Sequence, residues 1–304
     1  MKLYAPRYYE DFACIADRCC HSCCVGWEID VDAAAMEKYK RATEKYGKTV
    51  RESIDTEGTP HFVLGEGERC PHLDERGLCR VITDLGEEYL CDICREHPRF
   101  YLDTPHGREV GLGMACEEAC RLILSSDGYA DFIPLGEAEG STALTDFDAL
   151  AERDKIYGIL LTDSLRYNQK RRKICKEYDI ELSLLSEEEW RECLASLEYL
   201  DEAHRALFSR FMSAPTVDKK NEKVLDRALA YFIYRHATEA PDGEVFRASL
   251  LLSLFFEALF ASLIVTAGAE SRDGVCEMAR ILSEELEYSE DNTDALLFEI
   301  ETRL

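Results

Sequence analysis

The chain has 304 residues, 46% of them hydrophobic, and a formal charge of −25 from 61 acidic and 36 basic side chains. A chain of this length can bury a core without covalent staples and has room for more than one modest domain. So negative a surface argues against a nucleic-acid partner, because neutralising phosphates supplies most of that affinity. It suits a lysine-bearing protein substrate, as it also suits plain solubility.

Fourteen cysteines need a chemical reason, and eleven of them lie between Cys14 and Cys120. The chain opens MKLYAPRYYEDF, without the apolar run of a secretory signal. The expectation is a cytoplasmic protein with reduced thiols, in which clustered cysteines bind metal or react rather than pair as disulfides.

In chain order, Asp32 can cap a helix over Ala33–Tyr46, with Met36, Tyr39 and Tyr46 on one face and Gly47 closing it. His61–Leu64 reads as a short strand stopped by Gly65. Phe100–Asp103 and Arg108–Met114 flank the turn Thr104-Pro105-His106-Gly107, a hairpin pattern, and Ala115–Ser126 follows as a helix. The composition then changes near Asp127-Gly128. Beyond it, helical periods fit Asp146–Leu161, Asp201–Met212, Asn221–Glu239, Glu244–Thr266 and Gly274–Tyr288. Ser186 and Glu189 form a capping box for a helix carrying Trp190, Cys193, Leu194 and Leu197.

Two stretches in this half carry alternatives. Ala248–Ala267 holds a single charge, Glu257. Its length permits a membrane span, but a central carboxylate is costly in lipid, so a buried core helix is expected and no span. The basic island Arg166, Lys170, Arg171, Arg172, Lys173 and Lys176 is either a solvated helix face or an anion site. The fold class expected is α+β, mostly α. A small Cys-rich metal-binding module with short hairpins, residues 1–128, would pack on an all-helical domain, residues 129–304.

The chemistry sits in the first part. Cys14, Cys19, Cys20, Cys23 and Cys24 crowd one loop, and Cys20/Cys23 and Cys91/Cys94 each have the two-residue spacing of a metal knuckle. Cys70 and Cys79 bracket a turn at Asp74-Glu75-Arg76-Gly77, and Cys116 opens the next helix, where a thiolate is favoured. Zinc and iron–sulfur clusters both take four cysteines, so the spacing leaves both open. His21, His72 and His97 lie among these cysteines as further possible ligands.

Four ordered blocks carry a resemblance. The first is Phe12, Cys14, Cys19, Cys23-Cys24 and Gly26-Trp27. The second runs from Cys70-Pro71 through Leu73-Asp74 and Gly77-Leu78 to Cys79. The third is Leu85–Glu88 with Cys94 and Pro98-Arg99, and the fourth is Cys116-Glu117-Glu118-Ala119 with Arg121-Leu122. Together they resemble the flagellin lysine-N-methylase family (FliB-type proteins) and, more broadly, Cys-rich zinc- or iron-chelating domain proteins. Tyr231–His236 resembles a helical segment of that family's C-terminal half. Cys20, Cys91 and Cys120 stand outside the pattern.

The resemblance implies methyl transfer from S-adenosylmethionine to lysines of flagellin, dependent on a [4Fe–4S] cluster, with zinc possible instead or in addition. The metal-ligand pool it implies is Cys14, Cys19, Cys23, Cys24, Cys70, Cys79, Cys94 and Cys116. The sequence itself carries no glycine-rich methyltransferase loop after a strand. It also lacks the Cys-x-x-x-Cys-x-x-Cys spacing of radical enzymes, since Gly26 stands where the third cysteine would be. No catalytic residue is assigned, and the alternative is a non-enzymatic zinc- or iron-chelating or redox module.

Overall fold

The computed structural model describes residues 1–140, 142, 145–181 and 185–304. It divides into two compact units, Ala13–Arg99 and a larger one made of Met1–Phe12 with Phe100–Leu304. The smaller unit is thus an insertion in the larger, placed after its first strand, β1 (Lys2–Pro6). Residue 128, where the composition changes, falls inside the larger unit.

In the smaller unit, α1 (Ala33–Arg41) starts where its cap predicts: the Asp32 carboxylate accepts a hydrogen bond from the Ala35 N–H at 2.9 Å. The helix does not run on to Tyr46. Ala42 turns extended, and a second helix, α2 (Lys45–Glu52), begins. Arg51 accounts for the break, since its guanidinium donates to the carbonyls of Tyr39 (2.5 Å) and Ala42 (2.9 Å) at the end of α1. Gly47 is no terminator. It lies buried inside α2, where a Cβ would come within 2.6 Å of the Ala42 Cβ, so glycine permits the close approach. The strands β2 (Ile54–Asp55) and β3 (His61–Phe62) pair antiparallel, Ile54 opposite Phe62. The short helices α3 (Arg80–Asp84) and α4 (Asp92–Glu96) complete the unit.

After the insertion the larger unit resumes with β4 (Arg99–Thr104) and β5 (Gly107–Leu112), the expected hairpin, in which Thr104 Oγ1 donates to the Gly107 carbonyl at 2.8 Å. The helix α5 (Glu117–Ser125) follows, then β6 (Phe132–Glu137). The strand order is β4-β5-β1-β6, with β1 parallel to β5 and antiparallel to β6. Pro134 cannot donate to a ladder, and its strand lies at the sheet edge, where that is tolerated.

Helices make up the rest: α6 (Ala149–Leu160), α7 (Tyr167–Glu177), α8 (Glu187–Ser196), α9 (Glu202–Phe208), α10 (Glu222–Ala237), α11 (Gly243–Thr266), α12 (Arg272–Leu282) and α13 (Glu290–Glu301). The protein is α+β and mostly helical. The capping box of α8 forms in both directions, Ser186 Oγ accepting from the Glu189 N–H at 3.2 Å and Glu189 accepting from the Ser186 N–H at 2.7 Å. Among the described residues, α11 alone is long and apolar enough to cross a membrane, yet 94% of its apolar window is buried. It is the core helix, packed along α10.

The basic island is a solvated face at Arg166, Arg172, Lys173 and Lys176, which are exposed, while Lys170 and Arg171 turn inward onto carboxylates. Lys170 is buried against Asp226 at 2.6 Å and also donates to the Leu160 carbonyl at 2.6 Å. Arg171 meets the fully buried Glu257 of α11 at 2.8 Å, and the Tyr167 hydroxyl donates to the same carboxylate. Arg166 pairs with Glu222 at 2.8 Å. The two inward pairs fasten α7 to α10 and α11, and Glu257, the one charge of the apolar stretch, is the buried partner of Arg171.

Candidate metal centre

The cysteines of the smaller unit are brought together by backbone pairing. The Cys70 N–H donates to the Cys24 carbonyl at 2.8 Å, and Val25 bridges Arg69, so the first cysteine loop lies alongside the second. Beyond Cys70 the chain folds back. The Asp74 N–H donates to the Leu78 carbonyl at 2.9 Å, the Asp74 carboxylate accepts from the N–H groups of Arg76 and Leu78, and Gly77 takes φ +78°. Leu73 then pairs with Cys79, which sits at the N-terminus of α3. Cys91 holds the equivalent place before α4. Cys94 is one turn on, so both thiols face one side with their sulfurs 3.4 Å apart.

Cys24, Cys70, Cys79, Cys91 and Cys94 all pack in the same apolar cluster, with Val31, Tyr39, Val50, Phe62 and Val81. Their thiols sense one another. Burial pushes Cys70 up to about 12, and charge on Cys24, Cys79 and Cys91 adds to it. Cys79 is raised by burial, with Cys24 and Cys91 again contributing. Cys94 is raised by its hydrogen bond with Cys91, then by burial and by charge on Cys91, Cys24 and Cys70. Cys24 moves the other way, to about 7, because Cys23 hydrogen-bonds its sulfur.

Among the described residues, no group of three or more His, Cys, Asp or Glu side chains is drawn to metal-ligand spacing. The donor chemistry nevertheless fits a thiophilic metal. Five thiols share one buried neighbourhood, and soft thiolates are what zinc and iron–sulfur clusters take. His72 does not belong to that donor set. It is buried with Nδ1 at 2.9 Å from the Tyr46 hydroxyl and Nε2 at 3.0 Å from Ser53 Oγ, so both ring nitrogens are engaged.

The remaining cysteines of the expected pool are Cys14, Cys19, Cys23 and Cys116, of which Cys23 hydrogen-bonds the Cys24 sulfur. Cys14 and Cys23 are exposed, and Cys19, half-buried, donates to the His21 carbonyl at 2.9 Å. Cys116 lies in the larger unit, packed on that unit's core next to α5. Cys91 stands outside the family pattern and so outside the pool, but its two-residue spacing to Cys94 marks it as a knuckle cysteine, and the fold sets it among the other four thiols.

A second polar constellation lies within the larger unit, on the Tyr231–His236 segment. A π-helical turn, Ser283–Glu287, presents the buried Glu287 to α10. The Tyr231 hydroxyl donates to Glu287 at 3.2 Å and accepts from the Met114 N–H at 3.2 Å. His236 Nε2 lies 2.8 Å from the same carboxylate and Arg235 Nε 3.5 Å. Burial alone would raise the Glu287 carboxyl, but the His236 hydrogen bond and the Arg235 charge outweigh it and hold it below the usual range. The adjoining Tyr288 hydroxyl reaches Gly113, where a Cβ would lie 2.0 Å away, so only glycine admits it.

No family model matches the sequence, and no solved structure does. Among curated proteins, the chain is 27% identical over 164 residues to the flagellar biosynthetic protein FliU of Salmonella muenchen, covering 51% of this chain and 94% of that protein. It is 28% identical over 130 residues to the lysine-N-methylases of Salmonella choleraesuis and Salmonella typhimurium, covering 40% of this chain and 32% of each. The chain thus matches about a third of the length of those two methylases. By these matches the protein is a relative of the lysine-N-methylases that its cysteine blocks resemble.

Proposed function

We propose that this chain is a metal-dependent protein-lysine N-methyltransferase that uses S-adenosylmethionine and acts on flagellin. The observation that carries the reading is the match to proteins named lysine-N-methylase and flagellar biosynthetic protein. The thiols of Cys24, Cys70, Cys79, Cys91 and Cys94 are the ones that would hold a [4Fe–4S] cluster or zinc. Bound there, the metal supplies folding energy and, as iron–sulfur, electron-transfer capacity.

Methyl transfer requires a neutral lysine amine. Its lone pair forms the N–C bond as the S–C bond of the donor breaks, and its proton leaves to a base. The charge of −25 draws a lysine-bearing substrate toward the protein, so the encounter rate falls as salt screens it.

Anaerobically purified protein, incubated with S-adenosylmethionine and unmodified flagellin, should add methyl groups to flagellin lysines, read by peptide mass spectrometry. Iron with acid-labile sulfide identifies the cluster, whereas zinc without sulfide identifies a zinc site. Metal-replete protein that leaves flagellin unmodified would turn the reading to the chelating module.

A further inference from the structure

Cys120 stands outside the family pattern, and Cys276 is one of three cysteines that follow it in the sequence. The fold puts them in contact inside the larger unit. Cys120 lies on α5 and Cys276 on α12, and the two helices pack directly. Cys120 is 0% exposed, and its Sγ donates to the Cys276 carbonyl at 3.3 Å. Cys276 is only half-buried. One thiol of the pair is sealed and the other reaches the surface.

We propose that Cys120 and Cys276 form a thiol pair that reacts with small-molecule disulfides, Cys276 as the attacking sulfur and Cys120 as the resolving one. Their surroundings divide these roles. A side-chain hydrogen bond between the two thiols, distinct from the one to the carbonyl, is the largest influence on Cys276 and lowers it; with the charges of Arg272 and Arg121 it outweighs burial and Asp273, so the thiol lies below its ordinary value. Burial, in contrast, pushes the Cys120 thiol well above its ordinary value. The accessible sulfur is therefore the better nucleophile, and the sealed one is poor until a disulfide forms beside it.

The exchange balances with glutathione disulfide as oxidant. The Cys276 thiolate attacks one sulfur of it, a mixed disulfide forms, and one glutathione leaves as thiolate. Cys120 gives up its proton to that thiolate and attacks the Cys276 sulfur, releasing the second glutathione as a thiolate that takes a proton from water. The two cysteine thiols are oxidised, one glutathione disulfide is reduced, and α5 becomes tied to α12.

The test is titration of the intact, metal-loaded protein with glutathione disulfide, followed by native alkylation and non-reducing peptide mapping. The expected result is a linked Cys120–Cys276 peptide pair with the loss of two hydrogens, and loss of alkylation at Cys276. Cys120→Ser should stop the reaction at the glutathione adduct of Cys276, and circular dichroism checks that this variant is folded. Three outcomes overturn the proposal: undiminished alkylation of Cys276, a linkage to Cys116 instead, or a Cys276 adduct that persists in the unsubstituted protein.

Discussion

The two units solve the problem of a stable core in opposite ways. The larger one surrounds the apolar helix α11 with long neighbours and pairs its buried charges, as in Glu257 with Arg171, Asp226 with Lys170 and Glu109 with Arg153. The smaller one has only short helices and two-residue strands, and five cysteines take up much of its core. With thiols standing where apolar side chains would otherwise pack, metal binding is the expected source of added stability there. Stability in one unit is carried by packing, and in the other it is expected to follow the metal.

The largest effect should come from removing that metal. Chelation, or Cys94→Ser, is expected to unfold Ala13–Arg99, since structural zinc contributes roughly 10–16 kcal/mol to small metal-folded domains. Limited proteolysis with mass spectrometry should then cut within residues 13–99 and spare 100–304. Cys193→Ser, on α8 of the larger unit, should leave metal content unchanged. Equal digestion of both units would break the contrast.

Next in size is Glu257→Ala, which strands Arg171 without its partner in the interior of the larger unit. Loss of one member of a buried pair costs about 3–5 kcal/mol, so the denaturant midpoint should drop while metal content stays constant. An unchanged midpoint would remove paired charge from the account of this unit.

The smallest effect sharpens the contrast through pH. The hydrogen bond with Glu285 raises His204 above its ordinary 6.5, and Asp201 and Glu284 add to it. A raised histidine stabilises the fold fully below its unfolded value and loses that contribution as pH rises through the folded one. Stability measured against His204→Gln should therefore differ most below about pH 6.5 and converge above the raised value, by under about 1 kcal/mol because the imidazole is partly exposed. A difference that grew with pH would reverse the sign.

What could be read from the sequence was local. The caps at Asp32 and Ser186, the hairpin around Pro105-His106 and the burial of α11 each depend on neighbouring residues, and each formed. What escaped depends on distant partners. Strand β1 is five residues without a hairpin mate, and its ladder is made with residues more than a hundred positions away. Helix α7 shows little apolar period because Lys170 and Arg171 turn inward onto carboxylates from α10 and α11. The site divides similarly. The spacing within Cys70–Cys79 and Cys91–Cys94 was legible, whereas the pairing that sets Cys24 beside Cys70, and the placement of Cys116 in the other unit, belong to the tertiary fold.

The position of β1 also orders events during synthesis. It lies between β5 and β6, so the sheet of the larger unit cannot close until residues near 137 have left the ribosome. Every residue of Ala13–Arg99 has emerged before then. At about 5–20 residues per second, the interval between the last thiol of the smaller unit and the end of β6 is a few seconds. During that interval the cysteine-bearing segment can gather the metal proposed for it while β1 waits, tethered and unpaired, for the strands on either side of it.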